Sequence, residues 1–232
     1  MEATRGETKK KAVEDRAGGG ETKGGRPREV FPELCSPAPV RLTVWCKSLL
    51  FNSHGYTVYD DADGRMVFRV DNYAHNWKQE TVLMDRAGHV LLTIRRCRKV
   101  RPHFSLSLSL SLSLSLSHSW EAYKGDKDVQ RIVREQRPLF KATKDLGSPS
   151  CTISMFPEDG VKPLGYRMSW SREKEWSKIY QAAANTPVAE IGRKYGSMPM
   201  KLLDKDVLAL RVQPGMDQAL AMAMIMITNS MR

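Results

Sequence analysis

The sequence lacks the residue patterns on which most enzymes depend. It has no phosphate-binding Gly-Lys-Ser/Thr loop, no His-Glu-x-x-His zinc motif and no Gly-x-Ser-x-Gly nucleophile elbow. Its 5 histidines are isolated from one another. We therefore expect a protein that is not an enzyme, with no cofactor and no metal site.

Cysteine is scarce, with 4 scattered residues at Cys35, Cys46, Cys97 and Cys151. No two of them form a Cys-x-x-Cys pair, which argues against a zinc site or a disulfide framework and favours a reducing compartment. The beginning of the chain is charged and Gly-rich, unlike a signal peptide. The expected location is the cytoplasm or nucleus, or the periphery of the plasma membrane, and not the outside of the cell.

Long apolar runs are also missing, apart from one near the C-terminus. Every side chain from Ala219 to Ile227 is apolar, so a helix here must be buried on all sides, in protein or in lipid. A bilayer-spanning helix needs about 20 apolar residues, so no transmembrane segment is expected. A Pro-Gly break, followed by Asp217 where an acid suits the N-terminal end of a helix dipole, favours a helix over residues 216–231.

From Val40 onward the sequence is typical of short strands separated by turns. Two hairpins are predicted around residues 60–64 and 85–88, where an acidic turn closes on glycine. Roughly a dozen strands followed by one buried helix favour a barrel or a sandwich. A closed barrel of that size has a lumen wider than its own side chains can fill, so we predict a mainly β fold: a closed antiparallel barrel of about twelve strands that encloses the C-terminal helix. After the strand that starts at Val40, the predicted strands are Tyr56–Tyr59, Met66–Val70, Thr81–Met84, Val90–Ile94, Trp120–Tyr123, Pro138–Ala142, Cys151–Phe156, Tyr166–Trp170, Trp176–Tyr180, Val188–Arg193 and Val207–Val212.

Positive charge exceeds negative charge by 11, with 37 Lys and Arg against 26 Asp and Glu. This excess favours anionic partners, such as phosphoinositide headgroups or an anionic membrane surface; direct reading of nucleic acid is not expected. Residues 1–29 mix both charges with glycine and contain too few apolar side chains to order themselves. We predict a disordered, basic tail followed by a barrel domain over residues 30–232.

Two clusters of basic residues are the candidate binding sites for an anionic headgroup. The first cluster is Arg95, Arg96, Arg98 and Lys99. On a strand, Arg96 and Arg98 would share one face, and Arg95 and Lys99 the other. The second cluster is the pair Arg193 and Lys194. The alternative interpretation is that both clusters are solvated strand ends in a protein that is basic throughout.

Residues 100–117 contain a low-complexity insert in which Ser and Leu alternate from Ser105 to Ser117. As protein, this pattern is a two-faced strand prone to aggregation if exposed. At the level of the gene, it matches a CT-dinucleotide repeat that is translated in frame. The codons of Lys99-Val100-Arg101 can contain a splice-donor sequence. Our hypothesis is that about Val100 to Leu112 is retained intron.

Several motifs, in the same order along the chain, are similar to those of the plant LURP-one-related family. That family resembles the Tubby C-terminal domain and the phospholipid scramblases, which implies a twelve-stranded barrel around a central hydrophobic helix. The matching motifs are Leu42–Phe51, Gly55–Tyr59, Val67–Tyr73, Val82–Asp85, Leu91–Arg96, Trp120–Tyr123, Val188–Lys194 and Asp206–Gly215.

The resemblance leaves the activity open between three functions. The founding member of the family is linked to basal plant defence, and Tubby domains bind phosphoinositides through basic residues. The first expectation is a non-enzymatic, membrane-tethered module that binds phosphoinositide or anionic membrane and relays a defence signal. The alternative is a nuclear or cytosolic adaptor with protein partners. Scramblase-like lipid handling has the least support, because no spanning segment is expected.

The intron hypothesis makes a prediction about the messenger RNA. Sequencing of transcripts across Lys99–Trp120 should show that most messages lack the codons of about Val100 to Leu112. Abundant message that carries the whole Ser-Leu repeat would contradict the hypothesis.

Overall fold

The computed structural model describes residues 30–46, 55–73, 80–97, 119–126, 137–156, 165–171, 173, 175–195 and 206–231. A short 3-10 turn over Pro32–Leu34 precedes the first strand. The strands are β1 (Val40–Trp45), β2 (Tyr56–Asp60), β3 (Met66–Tyr73), β4 (Glu80–Asp85), β5 (Val90–Cys97), β6 (Ser119–Lys124), β7 (Phe140–Lys144), β8 (Ser150–Met155), β9 (Gly165–Ser171), β10 (Trp176–Gln181), β11 (Thr186–Arg193) and β12 (Val207–Val212), and they are followed by helix α1 (Gln218–Met231).

The strands form one closed antiparallel barrel. Each strand pairs with its neighbours in sequence, and β1 pairs with β12 to close the ring, from Val40 opposite Val212 to Trp45 opposite Val207. The predicted fold class is therefore confirmed. The predicted strands lie close to the observed ones. Strand β7 begins at Phe140 instead of Pro138, and β3 and β5 each continue three residues beyond the predicted end.

Alternation of side chains explains why these segments form the wall of a barrel. In β8, for example, Cys151, Ile153 and Met155 are buried while Thr152 and Ser154 are exposed. Successive side chains of a strand point to opposite faces of the sheet, so one set lines the lumen and the other faces outward. The inward sets of all twelve strands form a single hydrophobic core together with the helix.

Helix α1 fills the lumen of the barrel. Every side chain from Ala219 to Ile227 is at most 4% exposed. Thr228, the polar residue that follows, is also buried, and its hydroxyl donates a hydrogen bond of 2.6 Å to the carbonyl oxygen of Ile225. Full burial of one Ile, Leu or Met side chain contributes about 1.5–3 kcal/mol, so the helix supplies much of the stabilising energy of the fold.

Asp217 joins the start of the helix to the N-terminal segment. One carboxylate oxygen accepts a hydrogen bond from the amide of Leu220 at 3.0 Å, as an N-cap does. The other accepts bonds from the amides of Val30 at 3.2 Å and Phe31 at 2.8 Å. Burial raises the pKa of this carboxyl, although these backbone amides stabilise its charge. The sequence predicts an acid suited to the helix dipole. The structure shows that its carboxylate also binds the backbone amides of Val30 and Phe31.

The two ends of the barrel are distinguished by the direction of the helix. The helix follows β12 after a short turn, so it begins at the end where the even-numbered strands finish. We call this the proximal end. Its C-terminus points towards the end where the odd-numbered strands finish, which we call the distal end.

The predicted tail, residues 1–29, and the Ser-Leu insert lie outside the described residues. The strand ends that flank the insert are described, however. Cys97 and Ser119 are opposite each other in the pairing of β5 with β6. A hairpin connection needs only about two to five residues, so the 98–118 connection is longer than the barrel requires, with or without Val100–Leu112.

Enclosure of the helix predicts that a charge in its middle unfolds the domain. Ile225→Asp would bury an unpaired carboxylate, a penalty of several kcal/mol against a total stability of about 5–15 kcal/mol. We expect loss of the cooperative thermal transition by circular dichroism. Thr186→Asp, at an exposed position of β11, is the control and should melt like the wild type. A folded Ile225→Asp protein with an unchanged melting temperature would place the helix outside the barrel.

The Asp217 contacts predict a large effect from a small change. Asp217→Ala removes a helix cap and leaves the buried amides of Val30 and Phe31 without their acceptor. We expect a loss of about 3 kcal/mol in the free energy of unfolding, measured with urea. Asp217→Asn keeps one acceptor oxygen and should recover part of the loss. Equal free energies of unfolding for the wild type, Asp217→Ala and Asp217→Asn would show that these hydrogen bonds do not stabilise the fold.

Candidate functional site

Arg95 of the first basic cluster is held by a buried carboxylate. Its Nη2 atom lies 3.0 Å from both carboxylate oxygens of Glu80, its pairing partner on β4. The two side chains are only 13% and 9% exposed. Breaking a buried pair leaves an uncompensated charge, so Arg95 has a structural role at this position, in which it neutralises Glu80.

Arg96, the next residue, occupies the opposite face of β5. Its guanidinium carbon lies 5.5 Å from the ring centre of Trp120, which is buried. A cation over an aromatic face is attracted by about 0.5–2 kcal/mol, depending on its exposure. The alternation expected for Arg95 and Arg96 is thus present. Arg98 and Lys99 lie outside the described residues.

The second cluster, at the end of β11, is also paired within the protein. Arg193 forms an ion pair with Glu175, which precedes β10. Lys194 reaches across β12 and β1 to Asp61, where Nζ lies 2.8 Å from the carboxylate, and it also bonds the hydroxyl of Thr43. Burial alone would raise the pKa of Asp61, but the hydrogen bonds from Lys194 and Thr43 outweigh it and lower that pKa. The pair therefore fastens the turn after β2 to the end of β11.

The two clusters do not form one site. Strands β5 and β11 are six positions apart in a ring of twelve, so they lie on opposite walls of the barrel. Both clusters do lie where odd-numbered strands finish, at the distal end. What the structure adds is that Arg95, Arg96, Arg193 and Lys194 each have a partner inside the protein.

The strand boundaries show how the excess of 11 positive charges is distributed along the chain. The twelve strands hold eleven Lys and Arg and six Asp and Glu. Residues 1–29 hold eight and six.

The connections at the two ends of the barrel differ in charge. Those at the distal end, together with the residue after α1, hold eleven Lys and Arg and five Asp and Glu. Those at the proximal end hold seven and eight. The eleven distal cations are Lys47, Lys78, Arg98, Lys99, Arg101, Arg172, Lys174, Lys194, Lys201, Lys205 and Arg232.

A groove of about 750 Å³ crosses the outer wall of β10, β11 and β12. Gly192 and Ala209, which face each other in the strand pairing, lie along it, and Trp176 stands beside them. Lys178 and Arg211 also line the groove, and both contact Glu190 at 3.3 Å. Sequence reasoning did not single out these residues. The sequence shows a small residue at an outward position in each of two strands. That these two residues lie side by side follows only from the strand register.

Neither a metal-binding cluster nor a membrane-spanning helix is present among the described residues. Among those residues no three His, Cys, Asp or Glu side chains gather closely enough to hold a metal ion. No helix in the part of the chain that the structure describes has the length and apolar content needed to cross a membrane.

Comparison with known proteins found similar sequences and a similar structure. A sequence profile described as LURP-one-related matches residues 40–229. Protein LURP-one-related 8 of Arabidopsis thaliana is 36% identical over 208 residues, covering 87% of this chain and 94% of that protein. Protein LURP-one-related 5 of the same plant is 32% identical over 193 residues, covering 81% of each. Neither name denotes an enzyme.

A crystal structure of an Arabidopsis thaliana protein shares the fold. It superposes with a TM-score of 0.55 and 17% sequence identity, covering 87% of this chain and 96% of that one. At this identity the likeness supports the barrel architecture and nothing further.

Proposed function

This chain is a member of the LURP-one-related family, and from that premise we propose that it is a non-catalytic binding module that docks on anionic membrane surfaces through the distal end of its barrel. The observation that carries the proposal is the division of charge. The distal connections and the residue after α1 hold eleven basic residues against five acids, while the proximal connections hold seven against eight.

The magnitude of the charge is sufficient for docking. A Lys or Arg near an anionic lipid surface contributes about 1 kcal/mol. Contact by about five of the distal cations would therefore contribute roughly 5 kcal/mol, more than a thousandfold in partitioning. Because such an attraction is electrostatic, salt should weaken it strongly.

The candidate basic residues that the structure describes would contribute only a smaller part of this interaction. Arg95 and Lys194 are bound to carboxylates at 3.0 Å and 2.8 Å, so recruitment of either by a headgroup would first break an internal contact. The C-terminus of α1 also carries a partial negative charge. An anion is therefore better accommodated around the rim of the distal end than at its centre. A phosphoinositide headgroup, which concentrates several negative charges, is the ligand we expect to be preferred.

Such docking would place the barrel where a defence signal could be relayed from the plasma membrane. The relay itself requires a protein partner, for which the outer wall of the barrel remains available.

Vesicle co-sedimentation tests the proposal. The protein should pellet with phosphatidylcholine vesicles that contain phosphatidylserine, more with vesicles that contain a phosphoinositide, and not with phosphatidylcholine alone. Reversal of three distal charges should reduce binding by roughly a hundredfold. The variant is Lys201→Glu, Lys205→Glu and Arg232→Glu.

A matched variant separates the distal end from overall charge. Lys127→Glu, Arg131→Glu and Lys162→Glu change the net charge by the same amount in proximal stretches, and should bind nearly as well as the wild type. Equal losses in both variants would show that net charge alone matters. Absence of binding at low salt, where electrostatic attraction is strongest, would overturn the proposal.

A further inference from the structure

The floor of the outer groove is formed by two residues that have little or no side chain. Gly192 and Ala209 are register partners on β11 and β12, and their neighbours Ile191 and Leu210 are buried in the core, so both small residues face outward. A Cβ atom added at Gly192 would meet no atom closer than the Cβ of Trp176, at 3.8 Å. The backbone therefore does not require glycine here. Glycine in a strand is unfavourable and often marks close approach by another chain.

Aromatic side chains border this floor. Trp176 lies beside Gly192 and carries the ammonium of Lys178 at 5.5 Å from its ring centre. Tyr195, which also lines the groove, is 61% exposed. Tyr and Trp are enriched where proteins contact partners, because they offer a large rigid surface with a polar edge. The groove thus has an apolar floor and aromatic sides that suit an apolar side chain.

A row of charges next to the floor is positive on balance. In the strand register Lys178, Glu190, Arg211 and Arg41 follow one another across β10, β11, β12 and β1. Glu190 is shared by Lys178 and Arg211, each at 3.3 Å. The carboxylate nearest to Arg41 along the row, that of Asp61, is bonded to Lys194 at 2.8 Å. With Lys194 and Asp61, this row therefore holds four cations and two carboxylates. The other charged residues that line the groove are Arg193, Glu173 and Glu175.

The pairing of Arg41 with Arg211 indicates what is missing from this row. Like charges directly opposite each other on neighbouring strands are destabilising. The Arg211 side chain is 55% exposed, so its guanidinium is accessible. A carboxylate supplied from outside and placed between the two arginines would remove the repulsion. Arg favours such contacts because its planar group binds a carboxylate with two parallel hydrogen bonds.

We propose that this face of the barrel binds an extended, acidic segment of a partner protein. An apolar side chain of the segment lies on the floor of Gly192 and Ala209 against Trp176, and an acidic side chain lies between Arg211 and Arg41. Ala209 and Arg211 are two residues apart on one strand, a separation of about 6.7 Å. An extended segment has the same period, so its apolar and acidic residues are two positions apart. A membrane surface is a poorer occupant, because a flat surface does not reach the floor of a groove.

Selection from a phage-displayed library of random heptapeptides tests the proposal with the full chain as bait. Peptides enriched on the wild type should carry Asp or Glu two positions from an apolar residue. Their binding should fall at least about tenfold on Gly192→Leu, which fills the floor, and on Arg211→Glu, which reverses the charge. Gly192→Leu should keep the wild-type melting temperature, because its Cβ fits without a close contact.

Arg69→Glu is the matched control for charge. Arg69 is an exposed strand residue that contacts one carboxylate, Asp71, at 3.1 Å, and its reversal should leave peptide binding unchanged. Enrichment of basic or uncharged peptides, no enrichment at all, or equal binding to Gly192→Leu would each overturn the proposal. Vesicle binding by Gly192→Leu should equal that of the wild type. Peptide selection and vesicle docking can therefore fail independently.

Discussion

The fold is governed by the need to enclose a helix that has no side suited to water. Helix α1 is apolar around its whole circumference between Ala219 and Ile227, so a sheet packed against one side would leave the other exposed. A closed wall satisfies the requirement, and it must be wide enough to admit a helix about 10 Å across. Twelve short strands meet that requirement. The alternation of each strand, the closure of β1 on β12 and the methionines that fill irregular gaps all follow from the same constraint.

Several charges of the barrel serve the fold. The contacts of Arg95 with Glu80 and of Lys194 with Asp61 fasten one strand or turn to another. The connections at the distal end, with the residue after α1, hold six more basic than acidic residues. Most of these residues lie outside the strands that enclose the helix, so they are not needed to build its wall.

The sequence was sufficient for the architecture because the architecture depends on local patterns. Alternation in residues 151–155, Gly at the turns after β2 and β4, and the unbroken apolar run of α1 are each visible within about ten residues. The site depends on distant pairs. That Arg95 meets Glu80, that Arg193 meets Glu175 and that Gly192 faces Ala209 follows from strand register, which no short window contains. The basic clusters were found from the sequence, but their internal partners and their opposite positions on the wall were not.

Closure of the barrel has a consequence for how the protein is made. Strand β1 emerges from the ribosome early, yet its second neighbour β12 and the helix that fills the lumen are separated from it by more than 160 residues. Until they arrive, the nascent sheet has two unpaired edges and an uncovered apolar face, which are the features that promote aggregation. The ring can close and the lumen can be filled only after the last two elements of the chain, β12 and α1, have been made.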